Sequence, residues 1–146
     1  MIQKLLVVCV GNICRSPMAE ALFIHSFEKM GKQVTVHSAG VGALVGHQAD
    51  PIAQSLLLER HINISEHRAR QLTSDMLFEA DLVLTMDNEQ QKLIEKQNPS
   101  IRGRVHRLGT WNGYDVVDPY RRPKSAFEQS LILIEESVEA WCEKVG

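Results

Sequence analysis

Leu5-Leu6-Val7-Val8-Cys9-Val10 is continuously apolar, short and rich in β-branched residues, the pattern of a strand covered by helices on both faces. It predicts a central parallel strand over 5–10. After Gly11-Asn12-Ile13-Cys14-Arg15 comes Ser16-Pro17, with Ser16 as the expected N-cap and Pro17 at the first helical position, where its missing N–H costs nothing. Ala19, Leu22, Phe23, Phe27 and Met30 then recur on one helical face until Gly31, so strand, tight loop and helix follow in order. The alternation continues with a strand over Val34–His37, a glycine-rich loop, and a helix opened by Asp50-Pro51 that turns Ile52, Leu56 and Leu57 inward. Thr73-Ser74-Asp75 caps a short helix, and Leu82–Met86 reads as a third strand. A polar helix over Asp87–Gln97 stops at Asn98-Pro99, and Val105–Leu108 reads as a fourth strand. Ser125-x-x-Glu128 has the form of a capping box for a last helix whose stripe is Phe127, Leu131, Ile134, Val138 and Trp141.

Four strands separated by helices predict the α/β class: one domain over 1–146, a doubly wound four-stranded parallel sheet with helices on both faces and right-handed crossovers. No linker, repeat or low-complexity segment divides it. In such sheets ligands sit beyond the carboxyl ends of the strands where the chain order reverses, which directs attention to the loop over residues 9–16.

Composition narrows the classes. The chain has 146 residues, 44% of them hydrophobic, enough to bury roughly 68–70% of the surface its unfolded form exposes. Its 16 basic and 18 acidic side chains leave a formal charge of −2, and no Lys/Arg run exceeds two residues, so nucleic acid and direct membrane binding are not expected. No stretch approaches the ~18 apolar residues of a membrane span, and Met1-Ile2-Gln3-Lys4 leads into a strand rather than a signal peptide, so the expected location is cytoplasmic. The three cysteines, Cys9, Cys14 and Cys142, are too few for a disulfide scaffold. They form no zinc-finger spacing and the histidines form no HxxxH pair, so no metal or other cofactor is expected.

Residues 9–16 read Cys-Val-Gly-Asn-Ile-Cys-Arg-Ser, a Cys-x5-Arg-Ser run between a strand and a helix N-terminus. Unpaired first-turn amides and about half a positive charge there favour a tetrahedral oxyanion. Gly11 permits close backbone approach, Asn12 tolerates a left-handed conformation, and Arg15 offers a planar fork to two phosphate oxygens. The same surroundings would hold Cys9 as a thiolate. Taken alone, Cys9 reads equally well as a small buried hydrophobe of the strand; the arginine, the glycine and Ser16-Pro17 beside it favour the nucleophile.

The run Val8-Cys9-Val10-Gly11-Asn12-Ile13-Cys14-Arg15-Ser16-Pro17-Met18-Ala19-Glu20 resembles the signature of the low-molecular-weight protein tyrosine phosphatases. Ser38-Ala39-Gly40, Asp50-Pro51, His67-x-Ala69-Arg70-Gln71, Met86-Asp87 and Asp118-Pro119-Tyr120-Arg121 recur in the family's order and approximate spacing, so the resemblance spans essentially the whole chain. It implies hydrolysis of phosphotyrosine, with Cys9 forming a phosphocysteine intermediate and Arg15 stabilising the transition state. Asp118 would protonate the departing phenoxide and then serve as general base, although Asp-Pro is also a common turn opener; Asp115 lacks the proline and ranks below it. Val10, Gly11, Asn12, Ile13, Cys14 and Ser16 would form the phosphate-binding loop. Asn12, Ser16, Ser38 and His67 would form a hydrogen-bonded network that supports it. Cys14 would either guard Cys9 through a reversible disulfide or simply pack.

Leu44 falls where eukaryotic members carry an aromatic, and Tyr120 remains to stack on the incoming ring. The Gly40–Gly46 segment is similar to the Gram-negative branch associated with capsule and exopolysaccharide export. That likeness implies as partner the tyrosine-rich tail of a membrane tyrosine autokinase, met by a monomeric enzyme. Two readings share the loop type. Thioredoxin-coupled arsenate reductases need two further cysteines mid-chain, absent between Cys14 and Cys142, and phosphocysteine carrier domains need neither the loop arginine nor a distant Asp-Pro acid. A dinucleotide-binding module is disfavoured because Gly40-x-Gly42 has the wrong spacing to Gly46.

Overall fold

The computed structural model describes residues 2–145. Its elements are β1 (Lys4–Cys9), α1 (Arg15–Lys29), β2 (Thr35–Gly40), α2 (Pro51–Leu58), α3 (Ser74–Glu79), β3 (Leu82–Thr85), α4 (Asn88–Gln97), a 3-10 segment over Pro99–Arg104, β4 (Val105–Arg107) and α5 (Lys124–Val145). The four strands form one parallel sheet in the order β2-β1-β3-β4. From β1 the chain steps to one side for β2, then crosses back to the other side for β3. The carboxyl end of β1 is therefore the point where the winding reverses, and the loop over 10–14 leaves from that point.

Strand alternation sorts the core. Leu5, Val7 and Cys9 face a large cluster with Phe23, Phe27, Phe127, Leu131 and Trp141 from α1 and α5. Leu6 and Val8 face a smaller one with Leu77, Ile94 and Ile101. Period-two geometry thus delivers the Cys9 side chain to the α1 face, over which the loop folds.

Four sequence expectations need correction. The first helix begins at Arg15, and Cys14 at its N-cap position makes no side-chain cap; Ser16 lies inside the first turn because its hydroxyl is engaged by Asn12 and Cys9. The second strand runs on through Ser38-Ala39-Gly40, whose small polar character hid its pairing with Val7, Val8 and Cys9. The last helix begins at Lys124, so Ser125 sits within it and the Pro123 carbonyl accepts from the Ala126 amide instead of a capping box forming. Met30, expected on the buried stripe, is exposed at the C-cap of α1. The caps at Asp50 and Thr73 form as expected and Asp87 caps α4 besides, each side chain accepting from a first-turn amide.

Candidate active site

β1 ends at Cys9, and the next residues are bound into a second strand-like ladder. The amides of Val41, Gly42 and Leu44 donate to the carbonyls of Cys9, Val10 and Gly11, each at 3.0 Å. Gly40 makes this close approach possible, since a Cβ there would sit 2.3 Å from the Val10 carbonyl oxygen. Ile13 is anchored in turn by the Asp50 amide, which donates to its carbonyl at 2.8 Å. The loop's carbonyls are thereby used, while no backbone acceptor among the described residues takes the amides of Gly11, Ile13, Cys14 or Arg15.

Asn12 is the hub. It is fully buried and left-handed, with φ of 61°, a conformation that asparagine enters more readily than most side chains. Its Nδ2 donates to Ser16 Oγ at 2.8 Å and to Ser38 Oγ at 3.0 Å, and its Oδ1 accepts from the Arg70 amide at 2.9 Å. Its carbonyl accepts from His67 Nε2 at 2.7 Å, which places the proton on Nε2. Ser38 Oγ donates to Glu20 Oε1 at 2.5 Å, and His67 Nδ1 lies 3.9 Å from the same oxygen. The network returns to the sulfur. Ser16 Oγ, already an acceptor from Asn12, is 2.8 Å from Cys9 Sγ, and the Asn12 amide donates to that sulfur at 3.3 Å.

Cys9, Val10, Gly11, Ile13, Cys14, Arg15, Gly42, Leu44, Asp118 and Tyr120 line one cavity of about 130 Å³. The structure thus brings the sequence-selected loop, acid and rim residues to one place, with Ser16, Asn12, Ser38 and His67 behind it. Arg15 is 3% exposed. Its Nη1 donates to the Val116 carbonyl at 2.9 Å, and its Nη2 stands 3.7 Å from Asp118 Oδ2. Asp118 also opens a turn, accepting from the Tyr120 amide at 3.0 Å. The turn is held to α5 by Ser130, whose hydroxyl donates to the Val117 carbonyl. Asp115 is instead paired with Arg107 at 2.8 Å, away from the cavity lining.

Four contributors escaped the sequence reading. Glu20 falls one turn after Ser16 on the same helix face, so the i, i+4 spacing was its signal. Arg70 spans from the network to β2, its Nε donating to the Ser38 carbonyl at 2.9 Å. Gln71 brackets the rim, accepting from the Ala43 amide at 3.0 Å and donating to the Val41 carbonyl at 2.9 Å. Asp87, the N-cap of α4, lies 3.9 Å from Arg15. All four sit in segments already singled out, but only the fold gives them partners. All three cysteines are free thiols. Burial, assisted by the nearby Asp50 carboxylate, pushes the Cys14 thiol well up, and burial raises that of Cys142 to about 11.

A buried cysteine beneath a ring of unpaired amides and an arginine, at the reversal point of a doubly wound sheet, defines an oxyanion-binding α/β protein. The chain belongs to the low molecular weight phosphotyrosine protein phosphatase family, whose model matches residues 4–146. It is 47% identical to the probable low molecular weight protein-tyrosine-phosphatase EpsP of Ralstonia nicotianae, over 99% of this chain and 97% of that one. Among solved structures it is similar to the tyrosine phosphatase Wzb of Escherichia coli K30 in complex with sulphate, with a TM-score of 0.93, 35% identity and full coverage of both chains. It is likewise similar to Vibrio vulnificus Wzb in complex with benzylphosphonate, with a TM-score of 0.91, 37% identity and 97% and 98% of the two chains covered.

Proposed function

We propose that this chain hydrolyses phosphotyrosine in two displacements at Cys9. In the first, the sulfur attacks phosphorus, the bond from phosphorus to the aryl oxygen breaks, and the carboxylic acid of Asp118 gives its proton to the departing phenoxide, whose conjugate acid has a pKa of about 10. In the second, water attacks the phosphocysteine, Asp118 takes its proton, and the sulfur leaves with inorganic phosphate formed. Arg15 and the loop amides hold the equatorial oxygens in both steps and stabilise the charge that builds there.

The observation that carries the reading is the convergence on one cavity of Cys9, Arg15 and Asp118, backed by loop amides that have no other backbone acceptor. Sulphate in one structural relative and benzylphosphonate, an aromatic ring joined through one methylene to a tetrahedral phosphorus, in another support both halves of the substrate. Leu44 and Tyr120 supply walls for the ring. The likeness to EpsP and Wzb supports the exopolysaccharide-associated branch, and with it a tyrosine-rich autokinase tail presented at the cytoplasmic side of the membrane. No helix among the described residues is long and apolar enough to cross a membrane.

Metal-free hydrolysis of p-nitrophenyl phosphate tests the chemistry. Wild type should turn over and be inhibited by vanadate, while Cys9→Ser and Arg15→Ala should be inactive. Activity surviving in Cys9→Ser would refute the covalent route. Release of phosphate from the purified, autophosphorylated kinase of the same genome tests the partner.

A further inference from the structure

We infer that the mouth of this site carries a reader for a second anion, so that the preferred substrate is a phosphotyrosine flanked by a phosphate or carboxylate group. The inference rests on the phosphatase reading above and extends it to the substrate's neighbours. Tyr120, which lines the cavity, is followed by Arg121-Arg122-Pro123-Lys124, three cations in four residues on a chain whose net charge is −2. All three are exposed. Lys124 has Glu59 at 4.0 Å, whereas neither Arg121 nor Arg122 makes an ion pair among the described residues. The one carboxylate lining the cavity, Asp118, faces Arg15.

The backbone holds these cations close to the opening. The Asp118 side chain and the Pro119 carbonyl accept from the amides of Tyr120 and Arg122, closing two successive turns. Arg121 is left-handed, with φ of 61°, and its guanidinium lies 5.2 Å from the centroid of the Tyr120 ring, within cation–π range. Glycine or asparagine would adopt that backbone more easily, yet an arginine occupies it and sets a fixed charge against the residue that walls the pocket. A peptide whose phosphotyrosine enters the cavity beside Tyr120 meets the Arg121 guanidinium on that ring, with the exposed Arg122 next in the chain. Their planar forks suit phosphate or carboxylate oxygens.

The test compares kcat/KM for three phosphotyrosine peptides that differ only beside the phosphorylated residue: alanine neighbours, glutamate neighbours, or a second phosphotyrosine. The wild type should favour the anionic peptides by about three- to tenfold, the scale of two exposed charge pairs. That advantage should shrink at about 1 M salt, where the Debye length is about 3 Å. A preference confined to the doubly phosphorylated peptide would identify phosphate as the source of the anion; an equal preference for glutamate would identify charge alone. In Arg121→Asn/Arg122→Gln the advantage should vanish while p-nitrophenyl phosphate turnover stays within twofold of wild type. The single Arg122→Gln variant, which leaves the left-handed position untouched, should lose part of it. Equal rates on all three peptides, or a preference that survives in the double variant, would overturn the inference even though p-nitrophenyl phosphate is hydrolysed.

Discussion

Asp118 Oδ2 stands 3.7 Å from Arg15 Nη2, although one residue opens the first helix and the other belongs to the turn before the last. Arg15 is buried and tethered to the Val116 carbonyl, so the guanidinium is a fixed post and the acid-bearing turn is registered against it. Whatever the arginine binds is presented within reach of the carboxyl group.

Replacing that carboxyl group should therefore separate proton delivery from binding. Asp118→Asn is expected to slow turnover of phosphotyrosine roughly 10²–10⁴-fold, with a smaller loss on p-nitrophenyl phosphate, whose leaving group needs less protonation. Steady-state rates across a series of aryl phosphates check this; a loss independent of the leaving group would assign the acid elsewhere.

Asn12 joins four residues, Ser16, Ser38, His67 and Arg70, through one buried side chain and its own carbonyl. Asn12→Ala would leave the Arg70 amide without its acceptor and impose a left-handed backbone on alanine, for an expected destabilisation of about 2–4 kcal/mol. Urea denaturation measures that. The same variant should bind vanadate more weakly, because the loop loses its internal brace.

Gly40 is a test of steric fit without any change of polarity. In Gly40→Ala the new methyl would lie 2.3 Å from the Val10 carbonyl oxygen, and backbone must move to admit it. The expected cost is about 1–3 kcal/mol, read by thermal denaturation, together with a raised inhibition constant for inorganic phosphate. An unchanged phosphate constant would show that the loop does not depend on its ladder with 41–44.

The thiols should respond differently to iodoacetamide, since the thiolate is the reactive form. Burial pushes Cys14 well up and Cys142 to about 11, so both are protonated at neutral pH and become reactive only as pH climbs. Peptide mapping after labelling at neutral pH should find Cys9 modified, with phosphate protecting it. Labelling of Cys14 ahead of Cys9 would contradict the assigned environments.

Asp81 supplies a pH prediction remote from the site. The amides of Gln3 and Lys4 donate to its carboxylate at 2.8 and 2.9 Å, holding its pKa below the ordinary 3.8. A depressed folded value means stability that is complete above the unfolded pKa and is lost as pH falls through the folded one. Asp81→Asn should thus lower Tm at pH 7, and the gap to wild type should begin to narrow below about pH 4 and close as the folded-state carboxylate is protonated. A gap that persists in acid would mean the side chain acts through packing rather than charge.

The order of elements, the parallel sheet and the chemistry of the loop over 9–16 were legible in the chain, because apolar runs, caps and glycines act over a few residues. The left-handed Asn12 was legible for the same reason, as was the turn that Asp118-Pro119 opens. Errors fell where side chains were claimed by distant partners. Ser16 does not cap its helix because Asn12 and Cys9 take its hydroxyl, and Ser38 extends β2 because β1 lies beside it. Glu20, Arg70, Gln71 and Asp87 had no assigned roles until folding put acceptors and donors against them. Local pattern specifies which residues can form a strand, a turn or a cradle; the meeting of Cys9 with Arg15 and Asp118 depends on long-range packing of sheet against helix, which no short-range pattern encodes.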